Sequence, residues 1–95
     1  MKIPVEEIIN RCEGLYRISQ VKKDKLIEIQ FQNILIGFLD ACVIFGDISK
    51  TEYANIFDYY NNKFTKKENK KLLLGYDTSK ISMEIKDENN NSKQI

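Results

Sequence analysis

The sequence predicts a mainly α-helical domain, and three observations carry that expectation. Apolar residues recur every three or four positions through most of residues 5–64. A helix stop and a helix start stand back to back in "FGDISKTE", residues 45–52. The single proline, Pro4, lies where a first helix should open. The predicted architecture is a three-helix domain built on an antiparallel helical hairpin, with a short fourth helix and a C-terminal strand or hairpin. The alternative is a winged helix-turn-helix of α+β class.

The first helix begins at Pro4, whose missing N–H costs nothing there, and Glu6 and Glu7 complement the positive end of its dipole. Val5, Ile8, Ile9, Cys12, Tyr16 and Ser19 form one face, with Glu6, Glu7, Glu13 and Arg17 largely off it. Gly14 offers an early stop, but the periodicity favours continuation to about residue 20.

The second element is a fork. "LIEIQFQ", residues 26–32, alternates apolar and polar as a half-buried strand would. Ile27, Phe31, Ile34, Phe38, Cys42 and Phe45 also keep helical spacing through it and beyond. The helix accounts for more residues and runs from about 24 to 45, roughly 33 Å long. Its polar or small stripe is Gln30, Asn33, Gly37 and Asp40, while Ile29, Leu35, Ile36, Leu39 and Val43 widen the apolar face. Such a helix should be packed on two sides, and Gly37 and Ala41 admit a close neighbour, so a homodimer is expected.

Gly46 follows Phe45 where a left-handed helix stop is wanted, and Ser49-Lys50-Thr51-Glu52 is a capping box. Ile48 and Tyr53 are spaced as a hydrophobic staple. Tyr53, Ile56, Phe57, Tyr60 and Phe64 make the inner stripe of a third helix from about 50 to 64, which should leave Tyr59 exposed. Thr65-Lys66-Lys67-Glu68 repeats the capping-box spacing and predicts a short fourth helix through Leu74, stopped by Gly75. "KISMEIK", residues 80–86, alternates like a strand and needs an edge, such as residues 71–76. Residues 1–86 form one domain and 87–95 a polar tail.

Composition excludes much chemistry. There is no histidine, so histidine-assisted nucleophiles are absent and the usual neutral-pH base is missing. Cys12 and Cys42 are lone cysteines that read as small buried hydrophobes, with no metal site or disulfide expected. Glu6-Glu7 and Asp87-Glu88 are paired carboxylates at segment ends and read as solvated. No phosphate loop or dinucleotide fingerprint is present. We therefore expect no catalysis, no cofactor and no small-molecule substrate. The net charge of +1 announces neither nucleic acid nor membrane. The apolar run Ile34–Phe45 reads as too short to span a bilayer, and residues 1–12 lack a secretory pattern, which points to a cytoplasmic protein.

Two binding readings remain. A protein partner would be met by Asp40, the only charge between residues 29 and 46, together with Asn55, Asp58 and an exposed Tyr59. DNA would be met by Lys50, Thr51, Asn55, Lys63, Lys66, Lys67, Lys70 and Lys71, through base edges and phosphates. Asp58 opposes a polyanion, and arginine is absent from residue 18 onward, so the protein partner is favoured. The segment "GFLDACVIFGDISKTEYANIFDYY" resembles helical hairpins of small proteins from phages and plasmids of low-GC bacteria. The abundance of Ile, Lys and Asn fits an A+T-rich genome. The resemblance implies a mobile-element setting, with roles such as transcription accessory or stoichiometric inhibitor of a host defence enzyme.

Overall fold

The computed structural model describes residues 2–67 and 70–81. Three helices, α1 (Val5–Gln20), α2 (Lys25–Ile44) and α3 (Lys50–Lys66), precede a hairpin of β1 (Leu72–Leu73) and β2 (Tyr76–Asp77) and a 3-10 turn, Thr78–Lys80. α2 packs against both α1 and α3, which also touch each other, and the hairpin and 3-10 turn rest on α3 and α1.

α1 starts from Pro4 in extended backbone, with Glu6 and Glu7 in its first turn and Arg17 in its last. It runs through Gly14 and buries Ile8, Ile9, Cys12 and Ser19 as the periodicity requires. Glu13, expected off the buried face, is 3% exposed.

At residues 26–32 the helix prevails over the strand, and the strand order of a winged helix goes with it. The local reason is Asp24, whose carboxylate accepts from the N–H groups of Leu26 (2.9 Å) and Ile27 (3.4 Å) and so satisfies donors that open the helix. Leu35, Leu39 and Cys42 point into the core, while Gln30, Asn33, Gly37 and Asp40 lie exposed as read from their spacing. α2 has 20 residues and is apolar enough, by length and composition, to cross a membrane. The dozen apolar residues at 34–45 are thus part of a longer segment, and length no longer separates α2 from a membrane span.

The turn after α2 closes as its sequence predicts. Gly46 takes φ +78°, the N–H of Asp47 reaches the Cys42 carbonyl (2.8 Å), and that of Gly46 reaches Val43 (3.1 Å). This is the double bond pattern of a Schellman stop. Three residues later the Ser49 hydroxyl accepts from the Glu52 N–H (3.0 Å) and the Glu52 carboxylate from the Ser49 N–H (2.8 Å). Ile48 is buried, and Tyr53 packs on the core beside it.

The fourth helix is replaced by the hairpin. Lys67 turns left-handed at φ +55° and ends α3. Leu72 then faces Asp77 and Leu73 faces Tyr76, joined through Leu74 and Gly75, both at positive φ (+51° and +82°). Two such residues suit the two-residue hairpin turn that matches strand twist. Glu68 of the repeated capping box lies outside the described residues. So do residues 82–86 of the proposed strand, the Asp87-Glu88 pair and the polar tail; Lys80 closes the 3-10 turn and Ile81 is extended.

Candidate interaction surface

The inner faces of the helices meet on a carboxylate. Glu13 accepts from Arg17 Nε (2.8 Å), from the Tyr60 hydroxyl (2.8 Å) and from Lys63 Nζ (3.4 Å). Lys63 also lies over the rings of Tyr16 (4.8 Å) and Tyr59 (5.2 Å), the favourable position for a cation on an aromatic face. Arg17 continues outward, donating to the carbonyls of Thr78 (2.7 Å) and Ile81 (2.8 Å). A second inward carboxylate, Glu28, receives Gln20 and Lys67, whose hydrogen bonds hold its pKa below the ordinary range. Among the described residues no buried side-chain nitrogen or oxygen lacks a partner. Both sites are thus saturated from within the chain.

This arrangement redistributes the residues picked out by sequence. Tyr59 is buried at 6% exposure, because the hairpin and 3-10 turn cover it and its hydroxyl meets the Lys70 carbonyl (2.5 Å) and Thr78 Oγ1 (2.6 Å). It is therefore a clamp for the hairpin and not an exposed contact. Asn55 and Asp58 are exposed and share a shallow groove with Tyr59, Asn62 and Lys70. Asp40 stands apart on α2, where its Oδ1 accepts from the Tyr53 hydroxyl (2.7 Å). That bond raises the pKa of Tyr53, since ionising the phenol would set two anions side by side.

The basic set divides too. Lys63 is only 11% exposed at its side chain and is committed to Glu13, whereas Lys67 pairs with Glu28 while its side chain stays 54% exposed. Lys50, Thr51, Asn55, Lys66, Lys70 and Lys71 remain exposed. Glu6 and Glu7 are exposed, and Glu7 pairs with Arg11 (3.2 Å). Cys12 and Cys42 are free thiols in the core, and burial pushes both pKa values up, so neither offers a ready thiolate. Among the described residues no group of three or more acidic or thiol side chains could hold a metal ion.

The second side of α2, where the sequence leads to an expected homodimer contact, lies open in the single chain. Leu26, Ile29, Ile34 and Ile44, with Phe45 at the helix end, are 45–80% exposed. The outer side of α3 differs throughout: Thr51, Asn55, Asp58, Thr65 and Lys66 face solvent there. The wide apolar face of α2 was legible in the sequence, but which part of it the rest of the chain would leave open was not. Among the described residues, the fold and this surface define a three-helix domain whose central helix keeps large apolar side chains exposed beside a polar stripe. No protein-family model matches the chain, and no curated protein or solved structure is significantly similar to it.

Proposed function

We propose that this chain is a small non-enzymatic interaction protein that acts by stoichiometric binding to another protein through the outer face of α2. The observation that supports this reading is the contrast between that face and the outer face of α3. Each large aliphatic residue left in water forgoes roughly 1 kcal/mol or more of burial free energy. On α2 and its cap four such residues, Leu26, Ile29, Ile34 and Ile44, and the aromatic Phe45 are exposed, among Lys25, Gln30, Asn33, Gly37 and Asp40. Large apolar residues on both sides of a polar stripe match the mixed apolar and polar make-up of a non-obligate protein interface. In the mobile-element setting that the hairpin resembles, inhibition of a host defence enzyme is one role of this kind.

Site-specific photocrosslinking tests the proposal. A photoreactive residue at Gly37 should yield protein adducts in cells, whereas one at Thr65 on the outer face of α3 should yield none. Equal labelling from both positions, or lipid adducts alone from Gly37, would overturn it.

A second reading keeps DNA as the partner, favoured by the exposure of Lys66, Lys70 and Lys71 near the end of α3. Fluorescence anisotropy with duplex DNA at several salt concentrations tests it. Binding through these lysines weakens log-linearly with salt and is abolished when all three become glutamate.

A further inference from the structure

We propose that the occupant of the α2 face is a second copy of this chain, docked antiparallel about a two-fold axis that passes the helix near residue 35. This rests on reading that face as a protein interface and adds the partner and the register. Leu26, Gln30, Asn33, Gly37, Asp40 and Ile44 are all exposed. They are spaced alternately four and three residues apart, the seam that two packed helices share.

The seam is chemically self-complementary in one direction only. Antiparallel pairing about its midpoint sets Leu26 against Ile44 of the other copy, Gln30 against Asp40, and Asn33 against Gly37. The ends are then apolar, and each Gln30 amide meets an Asp40 carboxylate whose other oxygen is already held by Tyr53. Gly37 leaves room at the crossing, since a Cβ built there meets nothing within 4 Å. Parallel pairing would instead set Asp40 against Asp40, two like charges at one contact. The exposed Phe45 also finds a place, because the antiparallel arrangement brings it to the partner's N-terminal end of α2, beside another exposed residue, Leu26.

The expected area agrees with a reversible dimer. A strip about 10 Å wide along a helix of about 30 Å covers on the order of 300 Å² of each copy, about 600 Å² in all. That is less than a stable dimer buries, so the association is weak and transient and is seen only as concentration rises.

Sedimentation equilibrium of the full chain from low to high micromolar concentration is the test. The mass should rise from one chain to two. Gly37→Arg and Ile44→Asp should hold it at one chain while leaving the circular dichroism melt in place, because both positions face solvent in the single chain. Gln30→Lys discriminates direction: it should tighten the antiparallel dimer about tenfold by adding a charge-assisted contact to Asp40. Weaker association of that variant would overturn the register. A wild-type chain that stays monomeric overturns the dimer, and the photoadduct from Gly37 then separates two cases. A different protein in the adduct leaves the interface reading standing, whereas lipid alone, with flotation on neutral phosphatidylcholine vesicles lost in Leu26→Asp, removes both.

Discussion

The phenol of Tyr60 donates to Oε1 of Glu13 across 2.8 Å, joining α3 to α1 between residues 47 apart in the chain. Both groups are buried, and Arg17 and Lys63 complete the carboxylate's partners. Such a site is saturated, and its most costly subtraction is the carboxylate itself, which leaves the buried Tyr60 hydroxyl without a partner and Lys63 without its counter-charge.

Glu13→Ala should therefore cost about 3–5 kcal/mol of stability, the range for removing one partner of a buried ion pair. Tyr60→Phe should cost about 1.5–3 kcal/mol, the worth of a hydrogen bond to a charged group. Glu7→Ala, which removes only the exposed pair with Arg11, should change stability by under about 0.5 kcal/mol. Urea denaturation of the three variants checks the order. Equal losses from Glu13→Ala and Glu7→Ala would remove the site's structural importance.

The hairpin clamp makes a local prediction. Tyr59→Phe keeps the buried ring but removes the hydroxyl that meets Lys70 and Thr78, at a cost of about 1–2 kcal/mol. Amide exchange should speed up at Thr78, whose N–H bonds the Lys71 carbonyl (2.8 Å), more than in the interior of α1. Uniform acceleration across the helices would show that the clamp is not local.

Leu74 offers a gain. It sits at φ +51°, a conformation that costs a branched side chain roughly 1–2 kcal/mol, in a turn whose preferred pair is Asn-Gly. Leu74 is 37% exposed, so little packing is lost on replacement. Leu74→Asn should stabilise the protein by about 0.5–1 kcal/mol, read as a higher urea midpoint with an unchanged slope. A lower midpoint would show that the leucine's packing outweighs its backbone strain.

Much of this was legible in the sequence where the information is local. The stop at Gly46, the capping box at Ser49 and the helical period through residues 27–45 all act within a few residues, and each gives the expected helix or stop, although Ile34 and Phe45 of that stripe face solvent while Leu35 and Leu39 fill the core. Glu13 and Tyr59 were misplaced, and Glu28 left unassigned, for the opposite reason. Nothing near a carboxylate in sequence announces that a phenol 47 residues away will neutralise the cost of burying it, or that Lys67 will reach Glu28 across 39 residues. Tyr59 lies off the inner stripe of its own helix and is covered only because the chain folds back at residues 70–78. The fourth helix failed because Lys67 ended α3 and a glycine after Leu74 served a hairpin as readily as a helix stop.

Stability should fall at both extremes of pH, for different groups. The Glu28 pKa is lowered by hydrogen bonds from Lys67 and Gln20, so its contribution is complete above the unfolded carboxylate value of about 4.3 and is lost as pH falls through the native value. The Tyr60 pKa is raised, first by burial and then by the Glu13 charge. Its contribution is complete below the unfolded tyrosine value of about 10 and declines as pH rises above it. Urea midpoints across pH should show both arms, with the acid arm shallower in Glu28→Gln and the alkaline arm shallower in Tyr60→Phe. An unchanged profile in both variants would assign the arms to other groups.

The position of α2 in the chain also matters while the protein is being made. The helix is complete when the turn and all of α3, roughly 20 residues, have yet to be added, about 1–4 s at ordinary rates of translation. For that interval both of its long sides are apolar and only α1 is present to cover one of them. A segment with the length and composition of a membrane span thus waits, during synthesis, for the third helix that covers one of its sides. Synthesis order, and not the finished fold, sets how long that wait lasts.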